Sequence, residues 1–262
     1  MRMPQTVPPL ARAVDRNRNL PASRAFAWLA QGWRDLWTQP LPSLIYGLGV
    51  AAVSIIIVGG LYYFGYDYAL FPALAGFFVV GPVLAAGLYE KSRRLEEGLP
   101  VSLSVMIRPK PGTGQHVLFV GAVLCGLMLL WMRAAVILYA LFVGWQPFQG
   151  LDHVVPMLFG STMGLALLGF GTAVGALFAA FAFAISVFGV PMVVDRDVDA
   201  FTAMGTSISL AWNNLPVMLT WGAIVLVLTA ASLLTGMLGF VITFPLLGHA
   251  TWHAYQAIKD RD

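Results

Sequence analysis

The sequence predicts an all-α membrane protein with six transmembrane helices, arranged as three helical hairpins, with both termini in the cytoplasm. Three observations carry this expectation. Hydrophobic residues make up 59% of the 262 positions and charged residues only 10%. Soluble domains carry about 25% charged residues, so a chain this poor in charge cannot dress a wet surface. Six apolar runs are each long enough to cross the hydrocarbon core, which takes about 20 helical residues. Finally, all of the 15 Lys and Arg residues except Arg133 fall before the first run, between the second and third, between the fourth and fifth, or after the sixth. Short connections rich in Lys and Arg stay in the cytoplasm.

Taken in order, residues 1–22 hold several arginines, Pro8 and Pro9, and no apolar stretch of the kind a signal peptide carries. They are expected to be a disordered cytoplasmic tail. Phe26, Leu29, Trp33 and Leu36 then recur at helical spacing, which predicts an amphipathic helix lying flat in the membrane interface, anchored by tryptophan. Pro40 breaks it and turns the chain into the bilayer. The first span is expected at about 44–64 and the second at 69–89. Only Gly65–Tyr68 separates them, so they form a tight hairpin with Tyr62, Tyr63, Tyr66 and Tyr68 at its outer interface.

The third span covers 117–144 and the fourth 157–190. The fourth lies in an apolar run from Pro156 to Val194, too long for one perpendicular helix at about 1.5 Å per residue. That run must tilt, kink or end in an interfacial segment. Spans five and six, at 216–235 and 238–256, make a second tight hairpin around Gly236. Residues 259–262 are a short cytoplasmic tail, and 23–258 form a single membrane domain.

The chain also resembles itself. Aligned without a gap, FAWLAQGWRDLWTQPLPSLIYG at 26–47 and FTAMGTSISLAWNNLPVMLTWG at 201–222 match Phe26 with Phe201, Trp37 with Trp212 and Gly47 with Gly222. Phe201, Met204, Ile208 and Trp212 predict a second interfacial helix ahead of the fifth span. Val101, Val105 and Met106 outline a shorter third copy. Three units of interfacial helix plus hairpin follow, all pointing the same way, with Pro82, Pro191 and Pro245 near the inner ends of the even spans.

Few residues suggest chemistry. His249 and His253, four apart, share one helix face, a spacing that can seat a metal or haem iron between two imidazoles. Asp195, Asp197 and Asp199 lie on the same side of the membrane and could add carboxylates. Asp199 is also placed to cap the helix starting near Phe201. Arg133 is the one basic residue inside an apolar run. Its readings are snorkelling to the outer face, a pair with Asp152, or an anion contact. Gly160, Gly164, Gly171 and Gly175 give two GxxxG spacings suited to close helix packing. The lone Cys125 cannot form an internal disulfide and is expected as a small buried filler.

No Walker loop, HExxH, CxxC, CxxCH or GxSxG occurs, and no carboxylate lies deep in a span. An enzyme or an ion-driven pump is therefore not expected. The basic residues belong to the membrane topology, so no nucleic-acid partner is expected either.

The run VPMVVDRDVDAFTAMGTSISLAWNN at 190–214 and the run FPLLGHATWHAYQ at 244–256 resemble recurrent stretches of a bacterial family of predicted integral membrane proteins of unknown function. Some of its members are labelled cytochrome c oxidase subunits. The resemblance extends over about residues 26–258 and includes Pro191, Asp195, Arg196, Asp197, Asp199, His249 and His253. It implies a six-helix fold in a Gram-negative inner membrane, and a role no closer to oxidase chemistry than an accessory subunit or assembly partner. A small-solute transporter or channel, and a metal or haem handling protein, are the other expected classes.

Overall fold

A computed structural model describes residues 15–66, 70, 80–108, 113–144 and 150–260. All regular elements among them are helices. In chain order they are α1 (Arg24–Trp37), α2 (Pro40–Tyr63), α3 (Ala86–Glu96), α4 (Leu103–Ile107), α5 (Thr113–Val143), α6 (Val154–Phe159), α7 (Thr162–Asp195), α8 (Ala200–Asn213), α9 (Leu215–Leu234) and α10 (Phe240–Ile258). Four of these, α2, α5, α7 and α9, are long and apolar enough to cross a membrane. Residues 69 and 71–79 of the expected second span, and the outer-turn residue Tyr68, lie outside the described residues. A helix does form over the expected sixth span. α10, however, carries His249, Thr251 and His253 in its last turns and is not among the four.

The overlong fourth run resolves into two helices. α6 ends at Gly160, and Ser161 caps α7 by accepting the Gly164 backbone N–H at 2.9 Å. At about 1.5 Å per residue the 34-residue α7 spans about 51 Å, well beyond the hydrocarbon thickness of about 30 Å. The amphipathic helices form where the repeat predicts them, each just ahead of a proline-initiated long helix: α1 before Pro40, and α8 before Pro216. Asp199 caps α8 through the Thr202 N–H at 3.0 Å. The third copy is the single turn-and-a-half of α4, capped by Ser102.

The apolar stripes differ from expectation. On α1, Ala25, Trp28, Gly32 and Leu36 are buried, while Phe26, Trp33 and Trp37 face outward. On α8, Met204 is buried and Phe201 and Trp212 are exposed. Each helix thus has two apolar faces, one against the protein and one open. A single periodic stripe does not separate the two. Cys125 is exposed on α5 rather than buried.

Packing is concentrated at one end of the molecule. The buried residues of α2 are Ser43, Gly47 and Ala51, in its first turns. Those of α5 are Val117, Val120 and Leu124, also early. In α7 nearly all lie between Ala182 and Val194, at its end. The opposite halves expose Ile56, Leu130, Ile137, Phe170 and Leu177. This follows from the sequence. Lipid tails are as apolar as leucine, so helices in lipid associate through small residues and polar bonds, not through hydrophobicity.

Glycine supplies the close approaches. A Cβ on Gly32 of α1 would stand 2.5 Å from the Ala250 nitrogen of α10, and one on Gly47 of α2 would stand 2.3 Å from the Val241 oxygen. A Cβ on Gly248 would meet the Leu88 side chain of α3 at 2.6 Å. α10 is the hub on which α1, α2 and α3 converge. Of the two GxxxG spacings, only Gly175 faces another long helix, lying under the Trp131 ring of α5. Gly171 is open, and Gly160 and Gly164 shape the α6–α7 turn.

Candidate functional site

At the packed end, four helices bring their polar side chains into one chain of contacts. α1 supplies Asp35, α2 supplies Ser43, α3 supplies Lys91, Ser92 and Glu96, and α10 supplies His249 and His253. Lys91 Nζ donates to the Gln39 carbonyl at 2.9 Å and to Ser43 Oγ at 2.8 Å. Ser43 Oγ lies 2.9 Å from His249 Nε2, and Ser92 Oγ lies 2.8 Å from His249 Nδ1. The Ser92 hydroxyl donates to Asp35 Oδ2 at 2.6 Å. His253 Nε2 stands 2.9 Å from the same oxygen, and its Nδ1 is 3.5 Å from Glu96 Oε1.

These contacts fix the direction of every hydrogen bond in the sealed part. An ammonium only donates, so Ser43 Oγ accepts from Lys91 and turns its own proton to His249 Nε2. That nitrogen is then the acceptor of the imidazole, and Nδ1–H donates to Ser92. The Ser92 proton completes the path to Asp35. Lys91, Ser43, His249, Ser92 and Asp35 form one unidirectional donor chain, with no bond left to chance.

Burial raises the stakes. Ser43, Lys91, Ser92 and His249 are each 0% exposed. Burial pulls the Lys91 ammonium down to about 8. Burial also pushes Asp35 up, but the hydrogen bonds from His253 and Ser92 outweigh it and hold the carboxyl below its ordinary range. Glu96, by contrast, is raised by burial. The neighbouring Glu90 and Arg93, both buried, form a separate pair at 2.7 Å, with Arg93 also reaching Glu97.

Of the residues singled out in the sequence, the two histidines do share this site. As they stand they are not free ligands: His249 is bonded through both ring nitrogens to hydroxyls, and His253 contacts a carboxylate on each side. Among the described residues no group of three or more His, Cys, Asp or Glu side chains is arranged to hold a metal ion. The aspartates stand elsewhere. Asp195 receives the Tyr255 hydroxyl and the Lys259 ammonium, each at 2.9 Å. Asp197 is exposed, and Asp199 is occupied as the α8 cap. Arg133 is exposed on α5 and makes no ion pair with Asp152 among the described residues.

Asp35, Ser43, Lys91, Ser92 and Glu96 were not singled out from the sequence. They lie on flanking helices, outside or at the edge of the apolar runs, and only the folding of α1 and α3 against α10 brings them to the histidines. The usable signal was the pair Asp35 and Gly32, one turn apart on a helix with a buried face.

A second polar cluster closes the chain on itself. Residues 15–20, expected as tail, cross the ends of α8 and α10. The Arg18 N–H donates to Asn214 Oδ1 at 2.9 Å, while Asn214 Nδ2 donates to the Arg16 carbonyl at 2.8 Å. Arg18 Nε donates to the Ile258 carbonyl at 3.2 Å, at the negative end of α10. Arg16 and Arg18 both pair with Asp260 at 3.2 Å.

No curated protein and no solved structure matches this chain. The family match is narrower than the resemblance implied: it takes in only the first residues of the run at 190–214 and stops short of the run at 244–256. Residues 70–195, which include α3, α5 and α7, match the model of a family described as predicted integral membrane protein (DUF2189), and with four helices able to cross a bilayer the chain is a multi-pass integral membrane protein of unknown function.

Proposed function

We propose that this protein is a six-span accessory or assembly component of a complex in the bacterial cytoplasmic (inner) membrane, with both termini inside. The observation that carries the non-enzymatic role is the sealing of its polar groups. Ser43, Lys91, Ser92 and His249 bond to one another with no exposed surface for a substrate, while the apolar outer halves of α2, α5 and α7 stand uncovered. Such a protein spends its polar chemistry on holding helices together and leaves its flanks for lipid or other subunits. The exposed Phe26, Trp33, Trp37, Phe201 and Trp212 support an interfacial seat for α1 and α8. The resemblance to proteins labelled as oxidase subunits makes a respiratory oxidase the complex to look for first.

The test is purification of the tagged protein at native expression in mild detergent, with mass spectrometry of what accompanies it. Stoichiometric recovery of respiratory subunits is the expected result. Recovery of the chain alone, with oxidase activity unchanged on deletion, contradicts it.

Two other readings have weaker support. Pro191 and Pro245 lie inside α7 and α10, and interrupted helices line the sites of many carriers, which favours a small-solute transporter or channel. Metal or haem binding by His249 and His253 would require the ring nitrogens to give up the serine and carboxylate contacts described above.

A further inference from the structure

α1 and α8 each precede a proline-initiated long helix and each turn bulky apolar side chains outward, but their charges differ. The buried side of α1 is Ala25, Trp28, Gly32 and Leu36. At about 3.6 residues per turn, Phe26, Trp33 and Trp37 fall together on a second side, and Arg34 and Arg24 follow on a third. All five are exposed. The two guanidinium groups have no hydrogen bond and no ion pair among the described residues. α8 contains no Lys or Arg. The charges beside it are acidic: Asp197 and Asp199 stand exposed ahead of its first turn, while Arg196 is held by Asp195 and the Asp260 carbonyl.

The helix ends carry the same contrast. Asp199 places a carboxylate at the positive end of α8, where it accepts the Thr202 N–H at 3.0 Å. α1 has no acid in its first turn, Ser23 makes no side-chain cap, and Arg24 adds a cation to that positive end. α8 thus supplies its own anion, and α1 leaves one to come from outside.

The order of groups around α1 says what kind of anion fits. Trp33 and Trp37 meet edge to face at 5.6 Å, with Arg34 between them in sequence. At a membrane interface an indole ring lies among the upper acyl chains, and an arginine lays its stem on apolar surface and lifts its guanidinium to the headgroups. A guanidinium binds a phosphate through two parallel N–H bonds. A face that runs from apolar rings to cations matches a molecule that runs from acyl chain to phosphodiester. Soluble phosphate would use the cations and leave the rings bare.

We propose that the outer face of α1 binds anionic phospholipids, with Arg24 and Arg34 on the headgroup phosphates and Phe26, Trp33 and Trp37 against the chains. α8, apolar on its outer face but without cations, has no such preference. The proposal rests on the interfacial seat of α1 and names the lipid that this seat selects.

Fluorescence quenching on the full-length protein in bilayer nanodiscs tests it, on a Cys125→Ser background. The label sits at Ala30→Cys, exposed on α1 between Trp37 and Arg34 around the helix, or at Gly205→Cys on α8, where nothing stands within 4 Å of an added Cβ. The quenchers are phospholipids with the same nitroxide high on the acyl chain and either a phosphatidylcholine or a phosphatidylglycerol headgroup, at equal mole fraction. Quenching by phosphatidylcholine reports the seat, and the ratio of the two lipids reports the preference. At Ala30→Cys both are expected to quench, with phosphatidylglycerol enriched at least about threefold. At Gly205→Cys the two are expected to be equal. Arg24→Gln together with Arg34→Gln should bring the ratio at Ala30→Cys to unity and leave quenching by phosphatidylcholine in place. Equal quenching without those substitutions, an excess that survives them, or the same excess at Gly205→Cys overturns the proposal while the seat stands. No quenching by phosphatidylcholine at Ala30→Cys overturns the seat and the proposal together.

Discussion

At the scale of single residues, glycines and buried polar atoms decide where the helices meet. Gly32→Ala puts a methyl group 2.5 Å from a backbone nitrogen, so α1 and α10 must separate. A loss of about 1–3 kcal/mol is expected, read as a lower melting temperature in detergent. Gly126→Ala is the control. Nothing stands within 4 Å of a Cβ there, and alanine is the better helix former by about 1 kcal/mol, so no loss is expected. Asp35 gives the acid side of the pH profile. Its folded-state value lies below the ordinary 3.8, so the unfolded chain takes up the proton first. The stability it contributes is complete above that value and is lost as pH falls below it. Thermal melts from about pH 5 down to about pH 3 should show this fall, and Asp35→Asn should flatten it. Glu96 has the opposite sign: its raised value means that acidification toward 4.5 relieves a cost of burial.

At the scale of elements, most of the architecture was legible because span length, proline and helical periodicity are properties of contiguous sequence. The breaks at Pro40 and Pro216, the Asp199 cap and the overlong fourth run all have local causes. Legibility failed where a second face mattered. Trp28 and Trp33 look alike to hydropathy, yet Trp28 packs edge-on against the buried Trp221 at 6.1 Å and Trp33 meets Trp37 edge-on at the surface. Hydropathy says that both are apolar and does not say whether protein or lipid receives them. Cys125 was misplaced for the same reason. The histidine pair was visible from its spacing, but its partners were not. Ser43 is 206 residues from His249 in the chain and Ser92 is 157, and no local pattern carries contacts of that range.

At the scale of the whole molecule, the described helices gather at one end around α10 and splay toward the other. α1 and α10 are joined there by the polar chain, and the strap of residues 15–20 ties α8 to α10. Under the proposed topology the gathered end faces the cytoplasm and the outer turns face away. One measurement tests that most directly: labelling of single cysteines in intact cells by a membrane-impermeant maleimide, on a Cys125→Ser background. The account predicts that Thr235→Cys and Asp152→Cys label from outside, while Glu97→Cys and Asp260→Cys label only after the membrane is opened. Labelling of Glu97→Cys or Asp260→Cys in intact cells, or protection of Thr235→Cys, would contradict six spans with both ends inside.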